Sequence, residues 1–155
     1  MKKSIIIILI IISNQTNVTA QTNYTPVGLW KYISGADTIS MYFKRDQVTD
    51  GITTNQLLIG FHKYIKNGIV MESTFHDTNT VFLQNKYSLI MFFKNQETVV
   101  TEGCIKDINL NNNRYIFLKK INPTTIKVSL TYIQGVRNNR PYGFTLPRQF
   151  ILTKQ

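Results

Sequence analysis

Cysteine is almost missing from this sequence. Cys104 stands alone among 155 residues, so no disulfide can form within the chain, and stability must come from packing and backbone hydrogen bonds. A single thiol in the segment EGCIKD reads as a small buried apolar residue rather than as a nucleophile. Histidine is limited to His62 and His76, and there are only 8 acids against 18 lysines and arginines. No Cys-x-x-Cys, His-Glu-x-x-His, Gly-x-Ser-x-Gly or phosphate-cradling glycine loop is present, which removes the common redox, zinc, hydrolase and nucleotide signatures and gives no ground for a cofactor. Convincing helical stripes are lacking too. The longest apolar run, Ile5 to Ile12, falls far short of the ~20 residues that a membrane-spanning helix requires.

That run sits where an export signal would have it. Lys2 and Lys3 precede it, polar residues follow, and Val18 and Ala20 put small side chains at the two positions read by a signal peptidase cutting before Gln21. The expectation is a signal peptide over residues 1–20, an exported (periplasmic or secreted) product, and one domain over residues 21–155 with no transmembrane segment. That length suits one core and is too short for two.

Charge of one sign is concentrated late. Residues 106–155 carry nine basic side chains and a single acid, Asp107, whereas seven bases and seven acids cancel over residues 21–105. Lys119, Lys120, Arg137, Arg140 and Arg148 therefore make a candidate patch for an anionic partner such as an envelope component carrying phosphate or acidic sugar. The plain alternative is a solvated, colloidally stable surface, and no nucleic-acid motif accompanies the charge.

What the sequence does hold is the sheet signature. Ile, Val, Thr, Tyr and Phe alternate with polar residues at period two, punctuated by Asn, Gly, Asp and Pro. In TIKVSLTY, Ile126, Val128, Leu130 and Tyr132 share one face while Thr125, Lys127, Ser129 and Thr131 share the other. A first hairpin turns at Ser34-Gly35. A second turns at Asn67-Gly68, the pair that most readily takes the positive φ angles of a type I′ turn. A two-residue loop there puts Lys63 opposite Glu72, Ile65 opposite Val70 and Phe61 opposite Thr74. Further strands read at residues 86–94, 98–107, 114–121 and 149–153, while residues 136–147 read as a long loop. Residues 81–93 fit a buried strand and a short helix equally well. The architecture expected is all-β: an antiparallel meander closed into a small barrel or a strongly curved sheet.

Catalytic constellations find little support. The expected register sets His62 opposite Ser73 and His76 opposite Ile59, on different faces, and Glu72 lies ~13 Å along the strand from His76, so no shared metal site follows. Most of the acids fall at turns, where turn chemistry accounts for them. Neither catalytic nor metal-ligating residues are assigned, and a small hydrolase is the last-ranked reading.

The segment GLWKY at the start of the first strand resembles the Gly-x-Trp of the lipocalins and related calycin barrels. In those, an Arg from the last strand covers the Trp and closes one barrel end. The resemblance implies a closing pair of Trp30 with Arg148, with Arg140 as the second choice. A guanidinium over an indole contributes ~0.5 to 2 kcal/mol. The blocks GLWKYISGADTISMYFK, LIGFHKYIKNGIVMES, GCIKD and TLPRQFILTKQ also resemble a family of small exported bacterial proteins defined only as a domain of unknown function, which implies no activity.

The functional expectation is a non-enzymatic barrel. Trp30, Tyr32, Phe43, Phe61, Tyr64, Phe75, Phe92, Phe93 and Phe117 supply enough rings either to line a pocket for a small apolar ligand or to fill a solid core. The alternative is an envelope or surface protein that binds polyanions through its basic C-terminal third.

Overall fold

The computed structural model describes residues 26–92, 100–132 and 143–155. The expected signal segment, Phe93, the turn at residues 94–96, Arg137 and Arg140 lie outside the described residues, as does the side chain of Phe92.

Nine antiparallel strands follow one another: β1 (Gly28–Ser34), β2 (Asp37–Thr49), β3 (Thr54–Lys66), β4 (Ile69–Ser73), β5 (Leu89–Phe92), β6 (Val100–Asp107), β7 (Asn112–Asn122), β8 (Thr125–Tyr132) and β9 (Gln149–Lys154). Two single-turn 3₁₀ helices, Phe75–Asp77 and Phe82–Gln84, interrupt the run between β4 and β5, so residues 81–92 hold a turn followed by a short strand. Among the described residues no helix is long and apolar enough to cross a membrane.

Eight of the strands form a closed ring. β1 pairs with β2, β2 with β3, β3 with β5, and the meander then proceeds in order to β9, which pairs back onto β1. Closure leaves no free edges within the ring, the hazard an open sheet must otherwise manage. β3 carries two neighbours on one side: Leu57–Gly60 pair with β5, and Lys63–Lys66 pair with β4.

The Asn67-Gly68 turn forms as expected, with φ of 50° and 79°, and it sets Ile65 opposite Val70. The register then departs from the expected one. A bulge at Met71 moves Glu72 opposite Tyr64 and Ser73 opposite Lys63, and backbone bonds bring Thr74 to His62. The expected Lys63–Glu72 and Phe61–Thr74 pairs are thereby replaced. One inserted residue reverses which face its neighbours present, and here it turns Glu72 from solvent to the interior.

Inside the ring, Trp30, Ile39, Met41, Phe43, Leu118 and Val128 are each no more than 1% exposed and belong to one continuous core. Trp30 plugs that core, its indole Nε1–H donating to the Pro26 carbonyl at 2.9 Å. Gly103 is required by the packing. A Cβ there would stand 2.1 Å from the Ile90 carbonyl oxygen and 2.5 Å from Met91, so glycine lets β5 and β6 close together. Outside the ring, Leu57, Ile59 and Phe61 of β3 form a second apolar cluster, covered by Phe75, Phe82 and Tyr87 from the segment between β4 and β5.

Candidate functional site

Two polar constellations lie toward the barrel end where the β1–β2 and β3–β4 turns fall. The first is sealed. His62 of β3 and Glu72 of β4 sit on the interior face, with Nε2 2.7 Å from Glu72 Oε1, while His62 Nδ1 is 2.7 Å from Ser88 Oγ. One short hydrogen bond therefore joins the His62 ring to the Glu72 carboxyl group. The second carboxylate oxygen accepts the Ile108 N–H at 3.0 Å, and Thr74 Oγ1 donates to Ser88 at 3.1 Å. Serine, histidine and glutamate thus stand in contact, yet Ser88 is 2%, His62 1% and Glu72 4% exposed. A nucleophile needs access to a substrate carbonyl. In this cluster every group is instead spent on its neighbours, and its chemistry is that of a buried, satisfied polar lock. His62 and His76 lie apart: His76 is in a 3₁₀ turn, paired with Asp77 at 2.9 Å. Among the described residues no group of His, Cys, Asp and Glu is placed to hold a metal ion.

The second constellation is a mouth. Segment 143–148 folds across the ends of β7 and β8 and is pinned from below. Asp107, fully buried at the end of β6, accepts the Leu110 N–H at 2.9 Å and the Thr145 N–H at 2.5 Å. Arg114 of β7, 5% exposed, donates from Nη2 to the Gly143 carbonyl at 2.7 Å. Its guanidinium lies 3.6 Å from the centre of the Tyr132 ring and 5.4 Å from that of Phe144. Arg148 also stands against Tyr132, 5.2 Å from the ring centre and donating to the hydroxyl at 3.2 Å. These residues, with Leu130 and Leu146 as the apolar floor, line a pocket of about 180 Å³.

The closing pair implied by the lipocalin resemblance is corrected by this geometry. Arg148 lies over Tyr132, and among the described residues the cation over Trp30 is Lys154, 5.9 Å from the indole. The register explains it, because Lys154 is the residue of β9 directly opposite Trp30. The expected polyanion patch is divided as well. Lys119 sits opposite Lys127, five positions along β7 from Arg114 and the mouth, which is about 17 Å of strand. Arg148 is therefore at one end of the barrel while Lys119 and Lys120 approach the other. Sequence reading missed Arg114, Tyr132 and Phe144 as neighbours of Arg148. The cross-strand match of Arg114 with Tyr132 was the available signal, had the β7–β8 register been extended.

Cys104 is half-buried on the outer wall of β6, opposite Tyr115. Burial pushes its thiol above the ordinary value, which disfavours the nucleophilic thiolate.

The fold and the mouth define a filled, antiparallel up-and-down β-barrel with a small pocket at one rim. The chain belongs to the family of unknown function DUF6705, whose model matches residues 1–155. No curated protein and no solved structure matches it.

Proposed function

We propose that the protein is an exported, non-enzymatic binding barrel that takes a small ligand at the mouth, with an anionic group against Arg148 and an apolar or flat portion on Tyr132, Phe144, Leu130 and Leu146. The observation that carries this reading is the pocket itself. It is the place where exposed cation, aromatic rings and apolar floor converge, the mixture that small-molecule sites use. The barrel interior, by contrast, is occupied by its own side chains, so binding is read at the rim rather than in a deep calyx. A volume of about 180 Å³ falls below the roughly 300 Å³ at which pockets for drug-sized ligands begin, so the bound portion is no larger than a short or small aromatic carboxylic acid. Export rests on the basic, apolar and small-residue order of residues 1–20. The non-enzymatic part is supported by the sealing of His62, Glu72 and Ser88 away from any substrate.

The test is a panel of small aliphatic and aromatic carboxylates, with the matching neutral amides, followed by amide chemical shifts. Acids are expected to perturb residues 114, 130–132 and 143–148, and amides far less. Arg148→Ala is expected to abolish the difference between acid and amide. Perturbations that are absent, or that are indifferent to charge, would remove the mouth as a binding site.

A further inference from the structure

The cross-strand register brings together residues that are scattered along the chain. On the outer wall, Ile33 stands opposite Thr38, Thr38 opposite Ile65, and Ile65 opposite Val70, a row that crosses β1 to β4. Ile151 continues it onto β9, because Thr153 pairs with Lys31 and Ile151 is two residues closer to the mouth, as Ile33 is. Ile33 is 68%, Val70 51% and Ile151 49% exposed, and Ile69 at the adjoining turn is 67% exposed. Scattered apolar residues are ordinary on a surface, but a contiguous aliphatic row on one rim is a mark of docking.

The neighbouring row decides what docks. It runs Thr153, Lys31, Ser40, Lys63, Ser73, so two lysines flank the aliphatic row from behind. Beyond Ile151 the first row leads away from this end, down the wall to Lys127 and Lys119, so these two lysines are not part of the rim. Neither Lys31 nor Lys63 forms an ion pair among the described residues. The acids of this end are turned inward or engaged: Glu72 holds His62, Asp107 holds two backbone N–H groups, and Asp37 accepts from Tyr64 Oη and the Asn67 N–H. The rim is thus aliphatic and cationic. A second copy would set lysine rows near one another, and a soluble polyanion would leave the isoleucines without a partner. A bilayer surface satisfies both halves, with headgroup phosphates for the lysines and the acyl boundary for the aliphatic side chains.

We infer that this rim, built on Ile33, Val70, Ile151, Lys31 and Lys63, docks on the surface of a bilayer rich in anionic phospholipid. The docking does not depend on the mouth holding a ligand.

The full chain contains the apolar run of residues 5–12, so the readout must be local. With Cys104→Ser as background, an environment-sensitive fluorophore is placed by Val70→Cys, and in a control by Ile52→Cys at the β2–β3 turn, which is 97% exposed at the other end of the barrel. Vesicles of phosphatidylglycerol and phosphatidylcholine are expected to blue-shift the label at position 70 and leave that at 52 unchanged. Phosphatidylcholine alone should give a far smaller shift, and raised salt should reverse it. Lys31→Glu with Lys63→Glu is expected to lower the apparent partitioning at least tenfold, about 1.4 kcal/mol, while the thermal midpoint holds. Should that pair unfold the barrel, Lys31→Gln with Lys63→Gln is measured instead, with a smaller loss of the same sign. A position-70 label that ignores vesicles, an equal response at position 52, or charge variants that bind as tightly as the parent would overturn the inference. So would a vesicle-independent shift that grows with protein concentration, which identifies a second copy as the occupant, or a shift that heparin reproduces without lipid.

Discussion

The outer walls of β3 and β8 face the same direction relative to the barrel, yet they are built on opposite principles. On β3 the outward residues Leu57, Ile59 and Phe61 are at most 1% exposed, because the segment after β4 lies over them. The cover is fastened at several points. Lys44 Nζ donates to the carbonyls of Thr78 and Thr80, the Phe82 N–H donates to Asp46 Oδ2 at 2.6 Å, and the Phe82 and Tyr87 rings stack at 5.5 Å. On β8 the outward residues Thr125, Lys127, Ser129 and Thr131 have no such cover and are half-buried or exposed. A strand covered on both faces reads as a continuous apolar run, and one covered on a single face reads as strict alternation. The run LLIGF and the alternation TIKVSLTY are those two cases within one barrel.

Substitutions can break or sharpen this contrast. Phe61→Ala is expected to cost about 3 to 4 kcal/mol in urea unfolding, as much as the interior Phe43→Ala; a cost under about 1 kcal/mol would mean the covered wall is not a core. Lys44→Met is expected to cost about 1 kcal/mol overall, while proteolysis within residues 75–87 accelerates well beyond what global unfolding allows. Equal protection of that segment in parent and variant would show that Lys44 does not fasten it. On the bare wall, Lys127→Thr should raise stability by about 0.2 to 1 kcal/mol by relieving the Lys119–Lys127 opposition. Added salt should erase the gain, and a loss of stability would reveal an unrecognised partner. Smallest is the effect at Cys104. With the folded pKa raised by burial, its stabilisation is complete below the ordinary thiol value and fades as pH climbs through the folded one. Alkylation near pH 8 is accordingly expected to be slower on the folded chain than in urea, and equal rates would show an exposed thiol.

The local features were legible in sequence where local physics dictates them. Asn67-Gly68 takes positive φ at both positions, a conformation that few other residue pairs reach cheaply, so the turn and the Ile65–Val70 pair could be read directly. The burial of Trp30 was implied by the resemblance of GLWKY to the Gly-x-Trp of the calycin barrels. The bulge at Met71 was hidden, because counting by twos assumes an unbroken ladder, and the gain that sustains the break lies in Glu72 meeting His62 and Ile108. The mouth was hidden for a similar reason. Arg148 could be marked as a functional cation, but its ring partner Tyr132 and the pins at Asp107 and Arg114 come from strands whose proximity exists only after the ring has closed.

That closing seam has a kinetic consequence. β1 and β9 are joined through Trp30 opposite Lys154 and Lys31 opposite Thr153, with the Gln155 N–H donating to the Leu29 carbonyl at 2.9 Å. The other junctions of the ring join strands that lie near one another in chain order, whereas this one joins the two most distant parts of the described chain and must wait for the rest of the meander. Until β9 is in place, β1 and β8 each present a raw strand edge. Intermediates that lack only the final strand should therefore be the species most prone to pair with one another and aggregate.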